Sequence, residues 1–350
     1  MAIRSAEAPP APSQRALLKG VQGFILFSIL GIGLSLWWKR PANLPGLVSS
    51  VQWGYAALLL PLIAVDYVLG GLRYRLFFDG AELPRISLWE CMRSNWANIF
   101  MGAATPFQTG GGPAQVYILW RSGARVADAV LISLVNFAAT LIFFLLSTIA
   151  VALLLPHDFF GPNFTPVLRT GFGAVGGVAG LVLLALVAPR TVTALARGVF
   201  RAFPWRSRRD PPLRERALAA LESGTQRFGD DFRGILKRRP WVLGASLLAT
   251  VFLFFNKYLM GYVIARALGQ DVPFGLFIGL QIIQLFLIYF APTPGASGIA
   301  EISSVWLLGR TMDANTLLVY ALAWRFATTV LGAFIGAGVL IRELREKRPP

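Results

Sequence analysis

The sequence predicts an all-α polytopic membrane protein with six transmembrane helices and two re-entrant broken-helix hairpins, arranged as an inverted-topology repeat. Three observations predict it. Of the 350 residues 55% are hydrophobic and only 14% charged, and several apolar runs reach the roughly 20 residues needed to cross hydrocarbon. Two further apolar runs carry prolines and glycines at their centres, MGAATPFQTGGGPAQ and APTPGASGIAE. Short motifs also recur in the same order in the two halves of the chain.

Residues 1–20 are rich in Pro and Ala and read as a disordered cytoplasmic tail. The membrane domain spans residues 21–342, and a second short tail covers 343–350. The first span is Val21 to Trp38. The stretch WWKRPANLPG after it lacks a small-x-small cleavage pattern, so the span reads as a retained helix rather than a signal peptide. Leu47 to Leu72 is the second span, Ile86 to Trp120 the first interrupted segment, and Ala127 to Leu155 closes half 1 (residues 21–155). Half 2 (residues 170–342) opens with Thr170 to Ala188. A basic loop, residues 190–240, follows. In it Leu213, Ala217 and Leu221, then Phe228, Phe232 and Ile235, recur at helical spacing beside Arg and Lys, as suits helices lying on an anionic leaflet. Trp241 to Arg266, the interrupted segment Phe274 to Leu308, and Ala314 to Ile341 complete the half.

Backbone at membrane depth needs every N–H and C=O partnered, so a Pro- and Gly-rich break survives there only inside protein or beside a wet cavity. Each interrupted segment therefore reads as a hairpin that enters and leaves on one side. With the N-terminus inside, 26 of the 33 Lys and Arg fall on the cytoplasmic side. Lys39, Arg40, Arg169, Arg266 and Arg310 fall outside, while Lys257 and Arg325 lie within spans. The first hairpin then enters from the cytoplasm and the second from the opposite face.

The repeat rests on three matches. Asp66-Tyr67-Val68-Leu69-Gly70 resembles Lys257-Tyr258-Leu259-Met260-Gly261. Gly112-Pro113-Ala114-Gln115 resembles Gly298-Ile299-Ala300-Glu301, and Phe137-Ala138-Ala139-Thr140 resembles Phe326-Ala327-Thr328-Thr329. The offsets are 191, 186 and 189 residues. Inverted halves, each with a Gly/Pro-interrupted segment, point to a transporter whose site lies near the midplane.

One cysteine, Cys91, and one histidine, His157, leave no internal disulfide and no histidine-built metal or triad chemistry. No cofactor is expected. The net charge of +16 is read as a cytoplasmic face and anionic leaflet lipids, not as nucleic-acid binding. There is no GxxxxGK[ST] loop, so direct ATP drive is not expected.

Ionisable groups inside spans cost about 2.5–3.5 kcal/mol each at a helix centre and point to function. The candidate substrate-binding set combines these with polar and break-forming residues: Asp66, Arg93, Asn95, Asn98, Thr105, Pro106, Gly112, Gln115, Lys257, Gln284, Thr293, Pro294, Gly295, Gly298, Glu301 and Arg325. Asp66 and Lys257 hold equivalent places with opposite charge, which suits a pair across the pseudo-two-fold axis, although span-end snorkelling also accounts for them. Arg325 is the counter-charge for Glu301 or for a lipid phosphate. The plainer readings are that Arg93 neutralises Glu90 one turn away, that Glu301 caps its hairpin, and that the glycines serve close packing.

At Asn95 to Arg121, and above all at Pro292-Thr293-Pro294-Gly295-Ala296-Ser297-Gly298-Ile299-Ala300-Glu301, the chain resembles the membrane region of bacterial lysylphosphatidylglycerol synthases and their stand-alone, flippase-like relatives. The resemblance implies a non-enzymatic integral protein of the bacterial inner membrane that moves a polar-headed phospholipid or lipid-linked precursor between leaflets, and the charge distribution places both termini in the cytoplasm. The chain ends at REKRPP soon after the last span, so the family's soluble aminoacyltransferase domain is not expected. Where the family commonly reads Gly-Glu in the first hairpin, this chain has Ala114-Gln115, which sets it apart from a two-carboxylate mechanism and from lysylphosphatidylglycerol as cargo. The alternatives are a secondary transporter of a small solute, a membrane scaffold for a separate lipid-modifying enzyme, and an intramembrane lipid transferase. Phospholipids are the expected partners, with a second copy of the chain and a separate lipid-modifying enzyme as further candidates.

Overall fold

The computed structural model describes residues 51–154 and 230–346, except Glu82 and Arg310, and only isolated positions elsewhere. The predicted spans Val21 to Trp38 and Thr170 to Ala188, both tails beyond these limits and most of the basic loop lie outside the described residues. Among the described residues all regular structure is helical. Four stretches are long and apolar enough to cross a membrane: Trp53–Arg75, Val126–Val151, Pro240–Ala267 and Asn315–Arg345. They coincide with the other four predicted spans.

Helix α1, Trp53–Arg75, is an apolar run that ends on Arg73 and Arg75, whose charges meet the negative end of the helix dipole. That favourable ending carries it three residues beyond the predicted Leu72. Helices α2, Leu88–Ala104, and α3, Gly111–Arg121, are the arms of the first interrupted segment. Ser87 starts α2 by accepting a hydrogen bond from the Glu90 amide at 3.2 Å. The arms run antiparallel: Ser122 Oγ donates to Glu90 Oε2 (2.9 Å) at their open end, and Asn98 Nδ2 donates to Gln115 Oε1 (2.9 Å) midway. Helix α4 is Val126–Leu154, and α5, Pro240–Ala267, begins with a proline at the first position, where no amide is needed. Helices α6, Phe274–Tyr289, and α7, Ile299–Leu308, form the second interrupted segment. Helix α8, Ala314–Arg325, is capped by Asp313, which accepts from the amides of Asn315 and Thr316. It continues through a π-helical turn, Phe326–Val330, into α9, Leu331–Arg345. The last predicted span is therefore not a plain α-helix; such π turns tend to sit at functional sites.

Helices α1 and α5 pack antiparallel. The amide of Gln52, just before α1, donates to Ala267 O at the end of α5 (2.8 Å). Asn256 Nδ2 donates to Leu62 O (2.9 Å) midway, and Arg239, just before α5, reaches Asp79 after α1. Each of the two helices carries a glycine that admits an amide side chain from the neighbouring hairpin. A Cβ on Gly70 would lie 2.3 Å from Asn95 Nδ2, and one on Gly261 would lie 2.8 Å from Gln281 Oε1. Helix α9 comes still closer to α2, where a Cβ on Gly336 would stand 2.0 Å from Trp96 O.

The two breaks share one backbone course. Thr105 and Thr293 are extended, with ψ of 146° and 145°. The prolines Pro106 and Pro294 follow, and then two residues with positive φ: Phe107 (52°) and Gln108 (56°) in one break, Gly295 (59°) and Ala296 (56°) in the other. The hydrogen bonds match as well. Gln108 N donates to Thr105 O and Thr109 N to Pro106 O; Ala296 N donates to Thr293 O and Ser297 N to Pro294 O. Phe107, Gln108 and Ala296 are the three non-glycine residues with positive φ among the described residues. Left-handed backbone at such residues costs about 1–3 kcal/mol each and persists only where the surroundings impose it.

Candidate functional site

The breaks meet at the middle of the bundle, where Gln108 Nε2 donates to Tyr289 O at 3.3 Å and Gly295 packs beside Ala103 O. Beside them lies a cavity of about 890 Å³, in the size range of small-molecule sites. Part of its wall is aromatic: Phe254, Tyr289 and Phe290 line it, backed by Phe143 stacked on Phe254 (4.9 Å between centroids) and by Phe144. Aliphatic residues such as Ile99, Val130, Leu253 and Ile288 extend the apolar wall, and polar and charged side chains form the remainder.

Of the predicted residues, the structure brings Asp66, Asn95, Asn98, Gly112, Gln115, Lys257, Gly295 and Arg325 to this cavity. Lys257 Nζ lies 2.8 Å from both oxygens of Asp66, joining α1 to α5. Arg325 pairs with Glu301 and donates to Gly295 O, so the cation at the end of α8 holds the second break from behind.

The remaining residues stand outside the lining and shape it. Glu301 accepts from the Gly298 amide through Oε2 (2.7 Å), satisfying a free amide at the start of α7. Thr105 Oγ1 does the same service in the first break, accepting from Gly110 N (2.8 Å) and donating to Met101 O (2.7 Å). Pro106 and Pro294 set the turns, and Thr293 Oγ1 is buried without a hydrogen-bond partner. Gln284 is fully buried, bonded to Gln281 and Ser304. Arg93 lies at the open end of the first hairpin. It pairs there with Glu90 (2.8 Å) and with Glu343 of α9, which also takes Arg121 at 3.1 Å. That network ties both arms of the hairpin to the last helix.

Four lining residues were not in the predicted set and bear on chemistry: Arg73, Ser133, Asn136 and Thr140. Arg73 stands seven residues after Asp66, two helical turns along the same face. That spacing was the available signal. Outside the spans, Asp79 is held at about 2, below the usual carboxylate range, chiefly by hydrogen bonds from the Arg239 guanidinium (2.5 and 2.9 Å). Asp313 is also lowered, first by its bond from the Thr316 hydroxyl. No cluster of three or more His, Cys, Asp or Glu suited to a metal occurs among the described residues.

A cavity with charged lining beside two interrupted helices invites comparison with known membrane proteins. The family model described as the lysylphosphatidylglycerol synthase TM region matches residues 24–336. The chain belongs to this family. A UPF0104 membrane protein of Archaeoglobus fulgidus is 24% identical over 299 residues, which cover 83% of this chain and 87% of that one. As a member of the lysylphosphatidylglycerol synthase TM region family, with several apolar helices, the chain is a multi-pass membrane protein.

Proposed function

We propose that the protein is a lipid translocase: it moves a polar-headed phospholipid or lipid-linked precursor between the leaflets of a bacterial inner membrane, without itself being an enzyme. The observation that carries this reading is the cavity at the junction of the two breaks. It has an aromatic side for acyl chains and a charged side for a headgroup. The matching backbone of the breaks and the antiparallel packing of α1 on α5 support two inverted halves, six spans and two re-entrant hairpins. Arg75, Arg85, Arg93, Arg121, Arg239, Arg342 and Arg345 lie at or near the end of the bundle where the first hairpin opens. This supports a cytoplasmic placement of that end and of both termini.

In this reading the headgroup leaves one interface, occupies the charged side of the cavity while its chains stay against apolar wall, and exits at the other interface. The strained breaks are the parts whose backbone changes. The test is the accessibility of fluorescently labelled headgroups in proteoliposomes. With intact protein, an impermeant reductant such as dithionite added outside should bleach label that begins in the inner leaflet about tenfold faster than with the Glu301→Gln/Arg325→Ala double variant. Equal rates would reject the reading.

A further inference from the structure

The three cations on the cavity wall differ in how they are neutralised. Lys257 has Asp66, and Arg325 has Glu301. Arg73 is 7% exposed and has no carboxylate partner among the described residues. Its Nη2 donates to two uncharged oxygens, Asn136 O (2.5 Å) and Thr140 Oγ1 (2.9 Å), and its Nε has no partner. A buried guanidinium held by neutral acceptors keeps its full charge at a cost of several kcal/mol. The seat is rigid. Asn136 is fixed on three sides, with Nδ2 on Arg73 O (3.3 Å) and Ile132 O (3.1 Å) and Oδ1 accepting from Ser246 Oγ (2.9 Å). Ser133, one turn earlier on the same helix, also faces the cavity, and its buried hydroxyl has no hydrogen-bond partner.

We propose that Arg73 is the anchor of an anion site, and that the cavity selects an anionic phospholipid through its single phosphodiester charge, in preference to zwitterionic or aminoacylated lipids. The inference rests on the translocase reading and names its substrate class. With both carboxylates engaged by their own cations, the five charged groups at or behind the wall leave one positive charge, and it resides on Arg73. A phosphodiester cancels that charge and offers two oxygens in the geometry that a guanidinium binds in bidentate fashion. A headgroup carrying an added amine brings a cation to a wall that has no free carboxylate to receive it.

The experiment measures lipid binding to the purified full-length chain in detergent by native mass spectrometry. The series is phosphatidylglycerol, phosphatidylcholine and lysyl-phosphatidylglycerol with the same acyl chains, and soluble glycerol phosphate as competitor. Wild type should bind phosphatidylglycerol about tenfold more tightly than either other lipid, the scale of one charge-assisted contact. Arg73→Gln should lose the preference, and Arg73→Lys should keep part of it. If Arg73→Gln does not fold, the wild-type series and Arg73→Lys decide. Equal binding of the three lipids, tighter binding of the lysyl lipid, or a full preference in Arg73→Gln would overturn the proposal. Displacement of phosphatidylglycerol by millimolar glycerol phosphate would also overturn it, by assigning the site to a free phosphate ester. The translocation assay separates the two ideas. Transport without charge preference removes the anion site and leaves the translocase; selective, Arg73-dependent binding without transport does the reverse.

Discussion

The first break closes on neutral groups: Thr105 takes the free amide of Gly110, and Asn98 donates to Gln115 across the arms. At the second break a carboxylate takes the free amide of Gly298, and the same carboxylate binds Arg325, which in turn holds Gly295. Both breaks nevertheless follow the same course through proline and two left-handed residues. A hydroxyl and a carboxylate therefore serve the backbone equally well, since each only has to accept one orphan N–H. The free N–H alone does not call for a carboxylate at the second break; the charge there answers Arg325, which holds Gly295 in turn.

The sharpest way to break the comparison is topological. If the breaks are inverted copies, single cysteines at Arg85 and Arg125, introduced in a Cys91→Ala background, react with an impermeant thiol reagent from one face of sealed vesicles only. Cysteines at Asp271 and Asp313 react only from the other. All four positions are exposed. An all-or-none pattern is expected, and labelling of both pairs from a single face would end the inverted-repeat argument.

Next in size is the pair that joins the halves. Asp66 is 2% exposed, so Asp66→Asn leaves Lys257 without its partner and should cost about 3 kcal/mol in unfolding free energy measured in detergent. If the two positions are equivalent across the antiparallel helices, the exchange Asp66→Lys/Lys257→Asp should recover most of that loss. A swap no better than the single variants would mean that the two environments are not interchangeable.

The two breaks themselves should respond unequally. Glu301→Gln removes an ion pair but leaves an acceptor for the Gly298 amide, and should cost about 2 kcal/mol, because the pair is partly exposed. Gln115→Glu at the equivalent place puts a carboxylate at a position 1% exposed, and should cost at least as much. Thermal unfolding of the two variants side by side reads the difference. A neutral Gln115→Glu would show that a cation already serves that site.

Much of this architecture was legible in the sequence, for reasons that differ by element. The interrupted segment Phe274 to Leu308 was bounded correctly because proline and glycine mark a break whatever surrounds them, and the ion pairs of Asp66 and Glu301 followed from the scarcity of charge at depth. Arg73 carried only one weak signal, its spacing from Asp66. It lies two residues from the end of α1, where hydropathy alone makes an arginine an interfacial residue, and only the packing of Asn136 and Thr140 against it reveals a buried seat. The left-handed Phe107 and Gln108 were equally hidden, since neither residue favours that conformation. The π turn after Arg325 has no compositional mark at all.

The smallest effect belongs to a tie between the ends of α1 and α5 that lies outside the helices. Arg239 and Asp79 link the chain before α5 to the chain after α1, with side chains 20% and 27% exposed, against 3% for Asp66. Hydrogen bonds from Arg239 lower the Asp79 pKa from 3.8 to about 2. A folded-state pKa below the unfolded one means that the stabilisation is complete above about pH 4 and is lost as the pH falls toward 2. Asp79→Asn should therefore cost about 1 kcal/mol or less near neutrality, and the gap between wild type and variant should close on acidification through that window. Because Asp66 is shielded, the cost of Asp66→Asn measured alongside should stay larger than that of Asp79→Asn at neutral pH. Equal costs would mean that burial adds nothing to the central pair, and would remove the reason for treating the middle of the bundle as electrostatically distinct from its end.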